Sequence, residues 1–222
     1  MANGDGFTVA LDGRMVKTPA KRSLIAPTEA LAHAMAKEWA AQGMEIDPFS
    51  MPLTQLANSA LDRTGTQRAE IVKAVSAYGG SDLICYWADA PAELIDRQRA
   101  AWRPLIDWAN DRFDISLVVV QGIVHKPQEP RTLANLREEV ASLDDFRLTG
   151  LADCVAAAGS LIIGLALLHG RLDSDGVFES SQVDETFQID LWGEDWEQKQ
   201  KRVGLRAGIK AAERFLGFLQ NP

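Results

Sequence analysis

The residues able to do chemistry in this chain are three histidines, two cysteines and a set of carboxylates. Their spacing decides what they can do. His33, His125 and His169 lie in separate segments. No two of them stand three or four residues apart, the spacing that lets side chains on one helix face share a metal. Cys85 and Cys154 are the only cysteines, too few for a disulfide framework and wrongly spaced for zinc. Each sits in or before an apolar run and reads as a small buried hydrophobe, not a nucleophile. The acidic pairs Asp144-Asp145 and Glu194-Asp195 could hold a cation or move a proton. Adjacent helix residues point in different directions, however, so capping and solvation are the stronger readings. Gly159-Ser160-Leu161-Ile162-Ile163-Gly164 is glycine-spaced but lacks the following Lys-Ser/Thr of a phosphate loop. The sequence therefore predicts no catalytic residue, no metal, no cofactor and no nucleotide.

What remains is binding chemistry. From Asp173 to Glu197 there are nine acidic residues and no Lys or Arg. From Lys199 to Arg214 there are six basic residues and one acidic, Glu213. Neighbouring helices of opposite charge would pair, and from composition alone that structural reading is the stronger one. Yet Trp192 and Trp196 lie within the acidic stretch. An aromatic anchor on acidic ground is a credible partner site.

Composition sets the frame. The chain has 222 residues, 46% hydrophobic and 24% charged, an ordinary globular balance. Its net charge of −8 argues against nucleic acid, whose binders carry a basic footprint. The longest apolar stretch, Val155 to Leu168, has 14 residues. A spanning helix needs roughly 18 or more, so no membrane insertion is expected. Met1 to Gly6 has neither a basic nor an apolar leader region, and the sparse cysteines fit a reducing compartment. The expectation is a cytoplasmic protein.

The elements follow from periodicity. Asp12-Gly13 between two strand-like runs predicts a hairpin, with Ser23-Leu24-Ile25 as a possible third strand. Thr28 caps a predicted helix to about Gln42. Leu31, Met35 and Trp39 share a face of that helix, which assigns Trp39 to packing. From about Pro52 the pattern is mainly helical. Leu94, Gln98, Trp102, Leu105 and Ala109 line one side of a long helix in which Pro104 predicts a kink or break. One helix is expected from Asp144 or Asp145 to His169, and its Val155 to Leu168 portion should be the most buried. Another is expected from about Ser174 through Trp196, with Val183, Phe187 and Leu191 as its buried stripe, and a last one over about Arg202 to Leu219. The fold class is α+β: a small β-rich α+β domain over residues 1–58 and a larger all-helical bundle over 59–222.

Several motifs together resemble a known family. They are Leu11-Asp12-Gly13-Arg14 with Val16-Lys17-Thr18-Pro19; Glu38-Trp39; Asp47-Pro48; Met51-Pro52-Leu53-Thr54; and Leu56-Ala57-Asn58-Ser59-Ala60-Leu61-Asp62. Further on come Asp82-Leu83-Ile84-Cys85-Tyr86, Gln98-Arg99-Ala100-Ala101-Trp102-Arg103-Pro104 with Trp108, and Asp184-Glu185-Thr186-Phe187-Gln188-Ile189-Asp190-Leu191-Trp192-Gly193. Over nearly its whole length the chain is similar to the assembly chaperones that escort the alpha subunit of the F-type ATP synthase. The family's important acidic position is often Glu and falls here on Asp184, one methylene shorter, with Glu185 beside it.

The resemblance implies a binding protein. An unassembled alpha subunit exposes surface that its beta neighbours later cover, and such surface aggregates. A chaperone would protect it until the beta subunit displaces it. Asp184 and Glu185 are the expected leading partner-binding residues, supported by Trp192 and Glu194, while Trp39 and Trp102 are structural. Asp184 is turned by about 100° from the Val183 stripe and is expected to reach solvent. The alternative is a small cytoplasmic enzyme with a carboxylate-based site; a third is an inert scaffold. The lack of a presequence-like opening favours the bacterial cytoplasm here, with the mitochondrial matrix expected for eukaryotic relatives.

Overall fold

The computed structural model describes residues 2–3, 6–122 and 124–220. Strand β2 (Gly6–Thr8) is flanked by β1 (Ala2–Asn3) and β5 (Ile25–Ala26), both antiparallel to it, with Phe7 opposite Ala2 and Ala26. Strands β3 (Ala10–Leu11) and β4 (Arg14–Met15) form the predicted hairpin, Ala10 opposite Met15. Asp12 at φ 49° and Gly13 at φ 78° supply the two left-handed residues that such a two-residue turn requires.

Helix α1 (Glu29–Ala40) starts where Thr28 Oγ1 accepts from the Leu31 amide at 3.2 Å. It buries Leu31, Ala32, Ala34 and Met35. Helix α2 (Pro52–Ser59) runs into a π-helical turn, Ala60–Thr64. Then come α3 (Arg68–Ala77), β6 (Tyr86–Trp87), α4 (Ala92–Phe113) and β7 (Val120–Gln121), β7 pairing parallel with β6. The rest is helical: α5 (Pro130–Ser142), α6 (Asp145–Ala158), α7 (Leu161–Leu168), α8 (Ser174–Ser181), α9 (Val183–Trp192) and α10 (Trp196–Phe218). The α+β class holds, with a short three-stranded sheet and a hairpin near the N-terminus and helices making the bulk, but the expected all-helical part over 59–222 is corrected by the β6–β7 pair within it.

Four helix expectations need correction. Asp145 to His169 is two helices, because Gly159 turns left-handed at φ 69° and Ser160 caps α7, its Oγ accepting from the Ile163 amide at 3.0 Å. Ser174 to Trp196 is likewise two helices, interrupted at Gln182 and ended at Gly193. The last helix begins at Trp196, one residue after its Asp195 cap, and not near Arg202. Helix α4 passes through Pro104 unbroken. Burial follows the expectation: Leu161 through Leu167 of α7 are all buried.

Residue 58, the expected domain boundary, falls inside α2. Leu53 and Ala57 of that helix belong to the same apolar cluster as Leu31, Leu151 and Phe215. As a proposal, the division into 1–58 and 59–222 describes a sheet-bearing and a helical part that share one core.

Candidate functional site

The acidic stretch lies on α8, α9 and the corner leading into α10. Helix α9 holds Val183 and Phe187 in the core. Its third expected stripe residue, Leu191, is 55% exposed instead. The helix ends at Gly193, whose φ of 84° turns the chain, and Asp195 opens α10 by accepting from the Gln198 amide at 2.8 Å. Leu191, Trp192 and Trp196 therefore sit around a tight corner, with Trp192 78% and Trp196 76% exposed.

Most carboxylates near this corner already have partners. Asp184 Oδ1 accepts from Gln98 Nε2 at 2.7 Å, and Gln98 Oε1 accepts from the Ala88 amide at 2.7 Å. Gln98 is fully buried and Asp184 half-buried, so Asp184 reaches solvent in part and also ties α9 to α4. Arg97 of α4 pairs with Asp190 at 2.5 Å and lies 5.1 Å over the Phe187 ring. Arg202 of α10 pairs with Glu194 at 3.4 Å, donates to Gln182 and Thr186, and lies 4.9 Å over Phe178. Arg206 reaches Asp175 at 2.9 Å. The charge switch between Asp173–Glu197 and Lys199–Arg214 is thus partly an internal pairing. Glu185 is exposed and has no ion-pair partner among the described residues. The structure therefore leaves Glu185, Trp192 and Glu194 exposed along one segment and ties Asp184 of that segment to α4.

Trp102 is 1% exposed and its Nε1 donates to the Ser180 carbonyl at 2.7 Å, fastening α4 to α8. Trp39 is half-buried against the core, and its buried Nε1 has no hydrogen-bond partner among the described residues. Both positions suit packing.

Among the described residues the titratable groups do not assemble into a reaction centre. Burial pushes the Cys85 and Cys154 thiols up to about 12, so neither is a thiolate near neutral pH. His125 contacts Tyr86 Oη at 2.6 Å and His169 contacts Glu139 at 2.9 Å, two unconnected pairs. Among the described residues no three His, Cys, Asp or Glu groups stand together as a metal site. An open cleft between α2, α3 and α6 carries Asp153 and Arg63 beside Leu56, Ile71 and Val75, without a histidine or cysteine in its lining. No helix among the described residues is long and apolar enough to cross a membrane.

Two functional residues escaped the sequence reading. Gln98 was placed on an apolar stripe, and a polar side chain at a core register was the available signal that it holds something. Glu38 accepts from the Leu53 and Thr54 amides at 2.8 Å each and from Thr54 Oγ1 at 2.7 Å. Only the backbone path that brings α1 to the start of α2 reveals that clamp.

Comparison with known proteins agrees with this picture. Residues 1–110 match the model of the family described as ATP12 chaperone protein. The crystal structure of Atp12 from Paracoccus denitrificans is 43% identical and superimposes with a TM-score of 0.96, covering 99% of this chain and 94% of that one. A second solved structure, from Agrobacterium tumefaciens, is 32% identical with a TM-score of 0.92, covering 99% and 82% of the two chains. Protein atp12, mitochondrial, of Schizosaccharomyces pombe is 24% identical over 204 residues, 86% of this chain and 69% of that protein. Sequence and fold agree, and the chain belongs to the ATP12 chaperone family, whose members are ATP synthase assembly chaperones and not enzymes.

Proposed function

We propose that the client is the unassembled alpha subunit of the F-type ATP synthase, held at the α9–α10 corner until the beta subunit displaces it. The observation that carries this reading is the pair Trp192 and Trp196, both about three-quarters exposed on either side of Gly193. Large aromatics left in water beside acidic side chains are the composition of a protein-binding hot spot. Glu185, exposed and without an ion-pair partner among the described residues, supplies charge for orientation, which discriminates partners more than it adds raw affinity, while Glu194, paired with Arg202, supports the corner. Asp184 acts by positioning α9. The reading places the protein in the bacterial cytoplasm, with the mitochondrial matrix as the compartment of its eukaryotic relatives.

The test is co-purification of the chain with isolated alpha subunit, with and without beta subunit. Capture that beta subunit reverses is the expected result, and Trp192→Ala with Trp196→Ala should weaken it at least tenfold. Absence of capture by the wild type, or undiminished capture by the double variant, removes the corner as the client site.

A further inference from the structure

The segment between α1 and α2 was singled out by its motif, Asp47-Pro48 and Met51-Pro52-Leu53-Thr54, yet the client site above does not use it. It carries three large apolar side chains in water: Met44 is fully exposed, Phe49 is 91% exposed and Ile46 is 57% exposed. The backbone beneath them is tied down. Gln42 Nε2 donates to the Glu38 carbonyl and to Ser50 Oγ, both at 3.0 Å, and Gln42 Oε1 accepts from the Asp47 amide at 2.8 Å. Asp47 Oδ1 accepts from the Phe49 amide at 3.0 Å and its carbonyl accepts from Ser50 Oγ at 2.8 Å. Gln55 donates to the Pro48 carbonyl. The Glu38 carboxylate then clamps the start of α2 through Leu53 and Thr54.

Gln42, Asp47 and Ser50 thus bond the loop to itself, while Met44, Ile46 and Phe49 stand in water without packing against the fold. Three large apolar side chains left in water on one short turn, where small and polar residues are usual, form a concentrated apolar patch. A loop fixed before binding loses little freedom on binding, so its apolar side chains act as ready anchors.

The charge around the loop selects the partner. No Lys or Arg occurs between Lys37 and Arg63, while Glu45 and Asp47 lie in the loop itself. Glu45 is exposed. A second copy of this chain, at net charge −8, would bring the same sign and be repelled, as would an anionic lipid surface. We propose that the loop 43–50 is a second, preformed client anchor, which inserts Met44, Ile46 and Phe49 into an apolar pocket rimmed by Lys or Arg on the client. This rests on the alpha-subunit reading above and adds to it a second point of contact with the same kind of chemistry: apolar side chains on acidic ground.

The test compares wild type with the variant Met44→Ser, Ile46→Ser, Phe49→Ser in binding to isolated alpha subunit, alongside the melting temperature and the solution mass of each. The exposed side chains contribute little to folding, so the variant should melt close to wild type and bind at least tenfold more weakly. Glu45→Lys alone should weaken binding several-fold. A photo-crosslinking amino acid at position 44, where the side chain is fully exposed, should become linked to the alpha subunit; this measurement stands even if the triple variant folds poorly. Equal binding by the triple variant, or a label at 44 that never reaches the client, overturns the proposal. A mass that falls from dimer to monomer in the triple variant would assign the loop to a second copy and overturn it as well. If wild type fails to bind alpha subunit at all, the client reading falls and the anchor falls with it. Wild-type binding with an indifferent loop variant sinks the anchor alone.

Discussion

Asp184 shows how a residue can matter to a binding surface without forming it. Its carboxylate holds Gln98 at 2.7 Å, and Gln98 in turn holds the Ala88 amide. Asp184→Asn keeps an acceptor oxygen for Gln98 and removes only the charge. Asp184→Lys removes the acceptor and leaves a buried amide donor unpaired, which costs on the order of 1–3 kcal/mol. The expected result in urea denaturation is that the Asn variant stays close to wild type and the Lys variant loses about that much. Client binding should then track stability, with the Asn variant still capturing the client. A stable Lys variant that fails to bind would return Asp184 to the interface itself. The sequence indicates a candidate segment, because acids and tryptophans in one stretch are a compositional signal. It could not indicate which acids are occupied. Arg97 lies 93 residues from Asp190 in the chain, and no local pattern encodes such a pairing.

At the scale of elements, the hairpin and α1 were legible because their signals are local: Asp12-Gly13 for the turn, Thr28 for the cap. The break between α6 and α7 was signalled too, since Gly159-Ser160 supplies a left-handed stop followed by a cap. The unbroken apolar run around it masked that signal. What the sequence could not show is the group that fastens this break to the rest of the fold. Asp82 is fully buried, accepts from Ser160 Oγ at 2.5 Å and from the Ile162 amide at 3.0 Å, and also receives the Ile84 amide at 3.3 Å. Burial pushes its carboxyl up to about 6 from an ordinary 3.8, against the opposing pull of these hydrogen bonds. The folded protein therefore holds this proton more tightly than the unfolded chain. The associated stability is fully present below about pH 3.8 and is lost as pH rises through about 6. The shift corresponds to roughly 3 kcal/mol. Asp82→Asn does not titrate and gives up one acceptor, the oxygen facing Ile162. Its penalty relative to wild type should be largest at pH 4 and shrink by up to about 3 kcal/mol by pH 7. Chemical denaturation of both proteins across that range measures it, and a penalty that does not change with pH would show that Asp82 titrates normally.

At the scale of the molecule, the two apolar presentations and the net charge act on different parts of the binding reaction. The charge of −8 creates a field that reaches about 10 Å into solution at 0.1 M salt and less at higher salt. That field guides a basic-rimmed client toward the surface and sets the association rate. Acids already paired within the fold, such as Asp190 with Arg97 and Glu194 with Arg202, add little local pull, because their partners offset them. In the proposed complex, Trp192, Trp196 and the loop side chains exclude water from the client, and apolar contact is insensitive to moderate salt. Raising sodium chloride from about 50 to 500 mM should therefore slow association several-fold, as charge steering is screened, and leave dissociation within about twofold, since dissociation reports the seated contacts. Stopped-flow mixing with labelled alpha subunit separates the two rates. Dissociation that accelerates as much as association slows would mean that exposed ion pairs, and not the aromatic corner and the apolar loop, hold the client in place.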